Sequence, residues 1–126
     1  MLHFSSTMNG SQIKVGIDMT QVSRFERLVE NRAFLDRTFH PSELLNMRPE
    51  SLAGIFAAKE AFFKALGLAP QWLQVEINKL PTGKPSIQTA SELQLNGLLT
   101  LDISISHEGD YAIAVVVMIF EMEQGS

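Results

Sequence analysis

The sequence predicts an α+β domain: an antiparallel sheet packed with one long helix and several shorter ones. An apolar run of helical length from about Glu50 to Leu66 closes on Gly67, the residue type that ends helices. Leu73, Val75 and Ile77, and later Leu99, Leu101, Ile103 and Ile105, alternate with polar residues as half-buried strands do. Turn chemistry follows the first alternating set at Pro81-Thr82-Gly83 and the second at His107-Glu108-Gly109-Asp110.

Taken in order, residues 1–12 read as a flexible leader, with Met8 a possible second start, residues 13–120 as a single domain and 121–126 as a tail. Ile13–Ile17 is a short buried strand with Asp18 at its C-terminal end. Thr20 then suits the N-cap of a helix over about Gln21–Glu30, where Val22, Phe25, Leu28 and Val29 recur at helical spacing. Phe34–Phe39 adds a helical turn, and His40-Pro41-Ser42-Glu43 opens a short helix ending near Met47. Pro49 fits the first turn of the long helix. Lys84–Thr89 returns as the second strand of a hairpin, and Ser91–Gly97 reads as one or two helical turns. Ala112–Phe120 is too continuously apolar for an open edge, so it is either central or buried by another subunit.

The 126 residues, 45% apolar and 19% charged, suffice for one core. The absence of cysteine excludes disulfides and thiolate metal sites. A net charge of −4 argues against a general nucleic-acid binder. No window reaches the roughly 18–20 apolar residues of a membrane span, and the start has no signal-peptide pattern. A cytoplasmic protein is the expectation.

Three sets of polar residues invite chemistry, and each has a plain alternative. Glu60 and Lys64 stand at i, i+4, a spacing that as an exposed pair contributes about 0.3–0.5 kcal/mol. Phe56, Ala57, Ala58, Ala61, Phe62 and Phe63 leave that helix little other polar surface, so its charges, Lys59 included, would need partners once buried. Asp18 either supports the turn into the next helix or joins Glu60 as a hard-oxygen ligand set for a cation such as Mg²⁺, with lysines beside it for phosphate. His107 is either turn surface or, with Ser104 and Ser106, the lining of a ligand pocket.

Four stretches occur in order: VGIDMTQVSR (Val15–Arg24), LAGIFAAKEAFFKALG (Leu52–Gly67), TGKP (Thr82–Pro85) and SISHEGDYAIAVVV (Ser104–Val117). Together they resemble the holo-acyl-carrier-protein synthase family, the small type of 4′-phosphopantetheinyl transferase, from Lys14 to Phe120. The resemblance implies that family's α+β fold, a homotrimer with active sites at subunit interfaces, and Mg²⁺-dependent transfer of 4′-phosphopantetheine from coenzyme A to a serine of apo acyl carrier protein in fatty acid biosynthesis. Adenosine 3′,5′-bisphosphate would leave.

By motif match, Asp18 and Glu60 would be the metal ligands, Lys64 the phosphate-facing lysine and His107 the histidine near the coenzyme A phosphates. Lys59, Gly67, Gly83, Lys84, Pro85, Ser104 and Ser106 would line the nucleotide pocket. Glu60, Asp18 and a metal-bound water all stay open as the base. Arg24, Arg27, Leu28 and Arg32 would form the patch for an acidic carrier protein, although Glu26 and Glu30 interleave there as on a solvated mixed face. Two departures bear on coenzyme A affinity and carrier range. Ile55 stands where many members carry arginine, and Gly67-Leu68-Ala69, followed by Pro70, replaces a Gly-Thr-Gly. A catalytically weak relative that binds coenzyme A or a carrier protein is the alternative reading.

Overall fold

A computed structural model describes residues 7, 8 and 10–122. The strands are β1 (Thr7–Met8), β2 (Ser11–Gln21), β3 (Val75–Lys79), β4 (Pro85–Thr89), β5 (Leu98–Glu108) and β6 (Tyr111–Glu121). The helices are α1 (Arg24–Leu28), α2 (Arg32–Thr38) and α3 (Pro49–Leu66), with 3-10 turns at Pro41–Leu45 and Trp72–Gln74. The expected leader and tail lie partly outside the described residues; Thr7 and Met8 pair with Gln12 and Ser11.

β6 is central in an antiparallel sheet of order β1-β2-β6-β5, and β3 and β4 form a separate hairpin. This explains the apolar run from Ala112 to Phe120: both edges of β6 are hydrogen-bonded, to β2 and to β5. α3 packs across one face of the sheet, burying residues from Leu52 to Phe63 that include both its paired phenylalanines. Gly67 ends the helix as expected, at a positive φ of 70° with its N–H returned to the Phe63 and Lys64 carbonyls. A second core gathers Phe25, Phe39, Leu52 and Phe56 beneath α1 and α2, and Phe56 stacks on Trp72 at 4.8 Å. Among the described residues no helix is long and apolar enough to cross a membrane.

Four local expectations need correction. β2 runs on through Asp18 to Gln21, so Asp18 lies inside a strand, opposite Ala114. Thr20 is buried in that strand and caps nothing; its hydroxyl donates to Asp18 Oδ2 at 3.1 Å. The following helix starts later, at Arg24, and its entry is held from afar, where Ser23 donates its N–H and its hydroxyl to the Asp110 carboxylate at 2.9 and 2.7 Å. Ser91–Gly97 forms turns without a helix.

The close approach of α3 to β2 depends on Gly16. A Cβ there would lie 1.8 Å from the Ala61 carbonyl oxygen, so helix and strand meet backbone to backbone. No rotamer can relieve such a clash. Gly16→Ala is expected to lower stability by about 3 kcal/mol or more, measured by urea unfolding. An unchanged midpoint would refute this contact.

Candidate active site

The contact at Gly16 brings the end of α3 against β2. On β2, Gly16, Asp18 and Thr20 turn toward α3, while Val15, Ile17 and Met19 turn away. On α3, Glu60 and Lys64 stand one turn apart. Lys64 Nζ reaches Asp18 Oδ1 at 2.9 Å and the Ile17 carbonyl at 3.3 Å, so the lysine's ion-pair partner is Asp18 and not Glu60, the partner in the plain surface-pair alternative. Glu60 lies close enough to Asp18 for each carboxyl to feel the other's charge, and neighbouring carboxylates cannot both ionise without cost. Burial and the neighbouring Asp18 carboxyl push the Glu60 carboxyl up to about 7, with Lys64 and Arg24 opposing. The bond to Asp18 holds Lys64 firmly protonated.

Glu60 thus keeps its proton to about pH 7 in the folded chain but only to about 4.5 when unfolded. Without a divalent cation, stability is expected to fall as pH rises between those values and to level off above them. The side chain is only half-buried, so solvent screening limits the effect to about 1 kcal/mol. Thermal unfolding at pH 5.5 and pH 8 measures it, and Glu60→Gln should flatten the slope. Stability that rises with pH in the same cation-free buffer, and loses that rise in Glu60→Gln, would overturn the assignment.

Among the described residues no group of three or more His, Asp or Glu gathers as a metal cage. The pair Asp18 and Glu60 nonetheless fits Mg²⁺, which takes one or two carboxylates and keeps its other positions for water and substrate phosphate.

His107 lies on the same face of the sheet but across α3. Thr20, Ala112 and His107 form one row over β2, β6 and β5, which sets the His107 backbone two strand spacings, about 10 Å, from β2. Its Nε2–H donates to the Glu50 carbonyl in the first turn of α3 at 2.8 Å. Gly54 permits that proximity, since a Cβ there would stand 3.2 Å from the ring nitrogen. His107 edges a pocket of about 470 Å³, with Gly83 and Pro85 of the hairpin on its wall. Ser42, Asn46, Ser51 and Lys79 also line it and went unread in the sequence, as did Gly54. A glycine inside a long helix was the signal available.

Of the other expected pocket residues, Lys84 and Ser104 line, with Pro85, a second pocket of about 340 Å³ along β5. Ser104 and Ser106 alternate with Ile105 and His107, so they lie on the opposite face of β5. Lys84 is paired with Asp102 at 2.9 Å, and Gly67 caps α3 away from the pocket. Lys59 is the clearest correction. It is fully buried and donates to Glu43 at 2.7 Å and to the Thr38 and Trp72 carbonyls, so its ammonium faces no pocket. Arg24 and Arg27 are exposed on α1 with Leu28 half-buried beside them; Arg32 opens α2 and pairs with Asp36 at 3.0 Å.

Residues 14–116 match the model of the 4′-phosphopantetheinyl transferase superfamily, and the chain belongs to that family. Its relatives narrow the kind. A holo-[acyl-carrier-protein] synthase of Trichlorobacter lovleyi is 37% identical over 119 residues, spanning 82% of this chain and 94% of that one. The protein of the same name from Helicobacter acinonychis is 41% identical over 114 residues, covering 82% and 98%. Among solved structures, Helicobacter pylori holo-[acyl-carrier-protein] synthase in complex with coenzyme A superposes with a TM-score of 0.75 at 36% identity, covering 82% of this chain and 98% of that one. The Neisseria meningitidis enzyme gives 0.74 at 31% identity, covering 83% and 96%.

Proposed function

We propose that this chain transfers 4′-phosphopantetheine from coenzyme A to a serine hydroxyl of apo acyl carrier protein, in fatty acid biosynthesis, and releases adenosine 3′,5′-bisphosphate. The observation that carries the reading is the meeting of Asp18, Glu60 and Lys64 in a chain of this family. The serine oxygen forms a new bond to the phosphorus that bears the pantetheine, and the diphosphate P–O bond to the nucleotide breaks. Charge grows on the phosphoryl oxygens. Lys64, exposed and firmly protonated, is the ammonium available to them. Asp18 and Glu60 would hold Mg²⁺, which supplies further positive charge to the diphosphate. They are also the carboxylates at hand to take the serine proton. Arg24 lies near enough to Glu60 to lower its pKa, so a carrier protein seated on Arg24, Arg27, Leu28 and Arg32 would present its serine close to the pair.

The working form is a homotrimer with sites between subunits, at home in the cytoplasm. Two observations support the assembly. Val15, Ile17 and Met19 are 56%, 61% and 62% exposed on the face of the sheet away from α3, beside Val115 and Val117. Such a contiguous apolar surface marks an interface. In one chain, moreover, the His107 pocket and the acid pair lie on opposite sides of α3, so a ligand between two copies can meet both kinds of surface.

Incubation with apo carrier protein, coenzyme A and Mg²⁺ should add one phosphopantetheine to the carrier by mass spectrometry. No added mass, while a competent transferase modifies the same carrier, would overturn the reading.

A further inference from the structure

Lys59 and Glu43 form a buried ion pair that the transfer chemistry does not use. All three ammonium protons have acceptors: Glu43 Oε1 at 2.7 Å, the Thr38 carbonyl at 2.8 Å and the Trp72 carbonyl at 3.0 Å. Glu43, 4% exposed, is equally committed. Its Oε1 also accepts the His40 N–H at 2.7 Å and its Oε2 accepts the Ile77 N–H at 2.8 Å. One pair therefore joins α3 to the end of α2, both 3-10 turns and β3.

Those joined segments make one wall of the 470 Å³ pocket, through Ser42, Leu45 and Asn46 on one side and Ile77, Asn78 and Lys79 on the other. Ser51, Gly54 and Ile55 of α3, with His107, make the facing wall. The first wall is also held by the Ser42 hydroxyl donating to Glu76, by the Lys84–Asp102 pair and by Val75 and Ile77 packing into the main core. Among the described residues, however, only the Lys59–Glu43 pair joins both the Pro41–Leu45 turn and β3 to α3 through hydrogen bonds. The β3–β4 hairpin shares no ladder with the main sheet, and the Pro41–Leu45 turn leaves Leu45 88% exposed. A buried ion pair is, on average, no more stabilising than well-packed apolar side chains of similar volume. What it adds is direction, because each hydrogen bond fixes one backbone segment at one distance from α3.

We propose that Lys59 and Glu43 are positioning residues: the buried pair sets the spacing of the pocket walls and so the binding of coenzyme A. Identifying that ligand rests on the function proposed above.

Glu43→Gln keeps the shape but turns an amide N–H₂ toward a backbone or ammonium donor. It should raise KM for coenzyme A about tenfold while kcat stays within about twofold, since only ground-state placement is lost. The Mg²⁺ concentration for half-maximal activity should not move. The double variant Glu43→Leu with Lys59→Met removes the charges while keeping the volume. It leaves the His40 and Ile77 N–H groups and the Thr38 and Trp72 carbonyls without these partners, so its thermal midpoint should fall while KM stays raised. Hydrogen exchange in residues 40–46 and 75–85 should quicken in both variants, with β2 and β6 unchanged.

A double variant with wild-type KM and wild-type exchange would overturn the proposal. If the double variant fails to fold, Glu43→Gln decides by the same two readouts. A wild-type protein that transfers nothing would overturn the function instead, and exchange in the wall would still decide the role of the pair.

Discussion

Replacing either Asp18 or Glu60 with alanine is expected to lower Mg²⁺-dependent transfer by about a hundred- to a thousandfold, the range seen when one preorganised electrostatic group leaves a reacting centre. The two variants should differ in stability. Asp18→Ala removes the acceptor of both Lys64 and Thr20 and is expected to destabilise the fold. Glu60→Ala removes a carboxyl that the fold holds at an unfavourable pKa, so at pH 8 it is expected to be neutral or slightly stabilising. Steady-state transfer with apo carrier protein measures the first effect and thermal unfolding the second. Turnover retained in either variant would remove that carboxylate from the site. A large destabilisation by Glu60→Ala would mark it as structural.

Introducing one charge on the outer face of the sheet should have the other large effect. Ile17 is 61% exposed and paired with Val115 in the centre of that face. In an isolated protomer Ile17→Glu would merely exchange an apolar surface side chain for a solvated one. In a trimer closed over this face it would bury an unpaired carboxylate at a cost of several kcal/mol. Folded monomers are therefore expected, with transfer reduced about a hundredfold or more, since each 1.4 kcal/mol is a factor of ten. Sedimentation and circular dichroism read assembly and folding separately. A variant that stays trimeric, or a monomer that keeps wild-type turnover, would refute the interface.

The acid pair was legible because its chemistry needs particular residue types at positions that motifs mark. Asp18 and Glu60 stood out as carboxylates in apolar surroundings, and the fold brings them near enough for Asp18 to raise the Glu60 pKa. The local setting of Asp18 was misread. On β2 the apolar residues Val15, Ile17 and Met19 face outward, and the polar Asp18 and Thr20 face the helix. Alternation reports a period of two without saying which set meets the core. Reading the apolar set as the buried one ended the strand too early and made a cap of Thr20.

Lys59 failed for a related reason. At 100° per residue it stands about 140° around α3 from Lys64. On a helix that is apolar nearly all round, nothing local distinguishes a lysine enclosed by Glu43 from one exposed beside Asp18. Ser104 and Ser106 were grouped with His107 by nearness in sequence, although a strand sends neighbours to opposite faces.

By itself, then, the sequence determined the long helix and its Gly67 stop, the alternating strands and the residue types that could handle a diphosphate. These follow from propensity, period and side-chain chemistry, all of them local. Only the tertiary structure decided that Gly16 lets α3 touch β2, that Lys64 turns to Asp18, and that Lys59 is enclosed beneath the wall of the His107 pocket. Each of those depends on which surface of one element covers which surface of another. A single element's pattern fixes its faces, and packing between distant elements chooses which face each one meets.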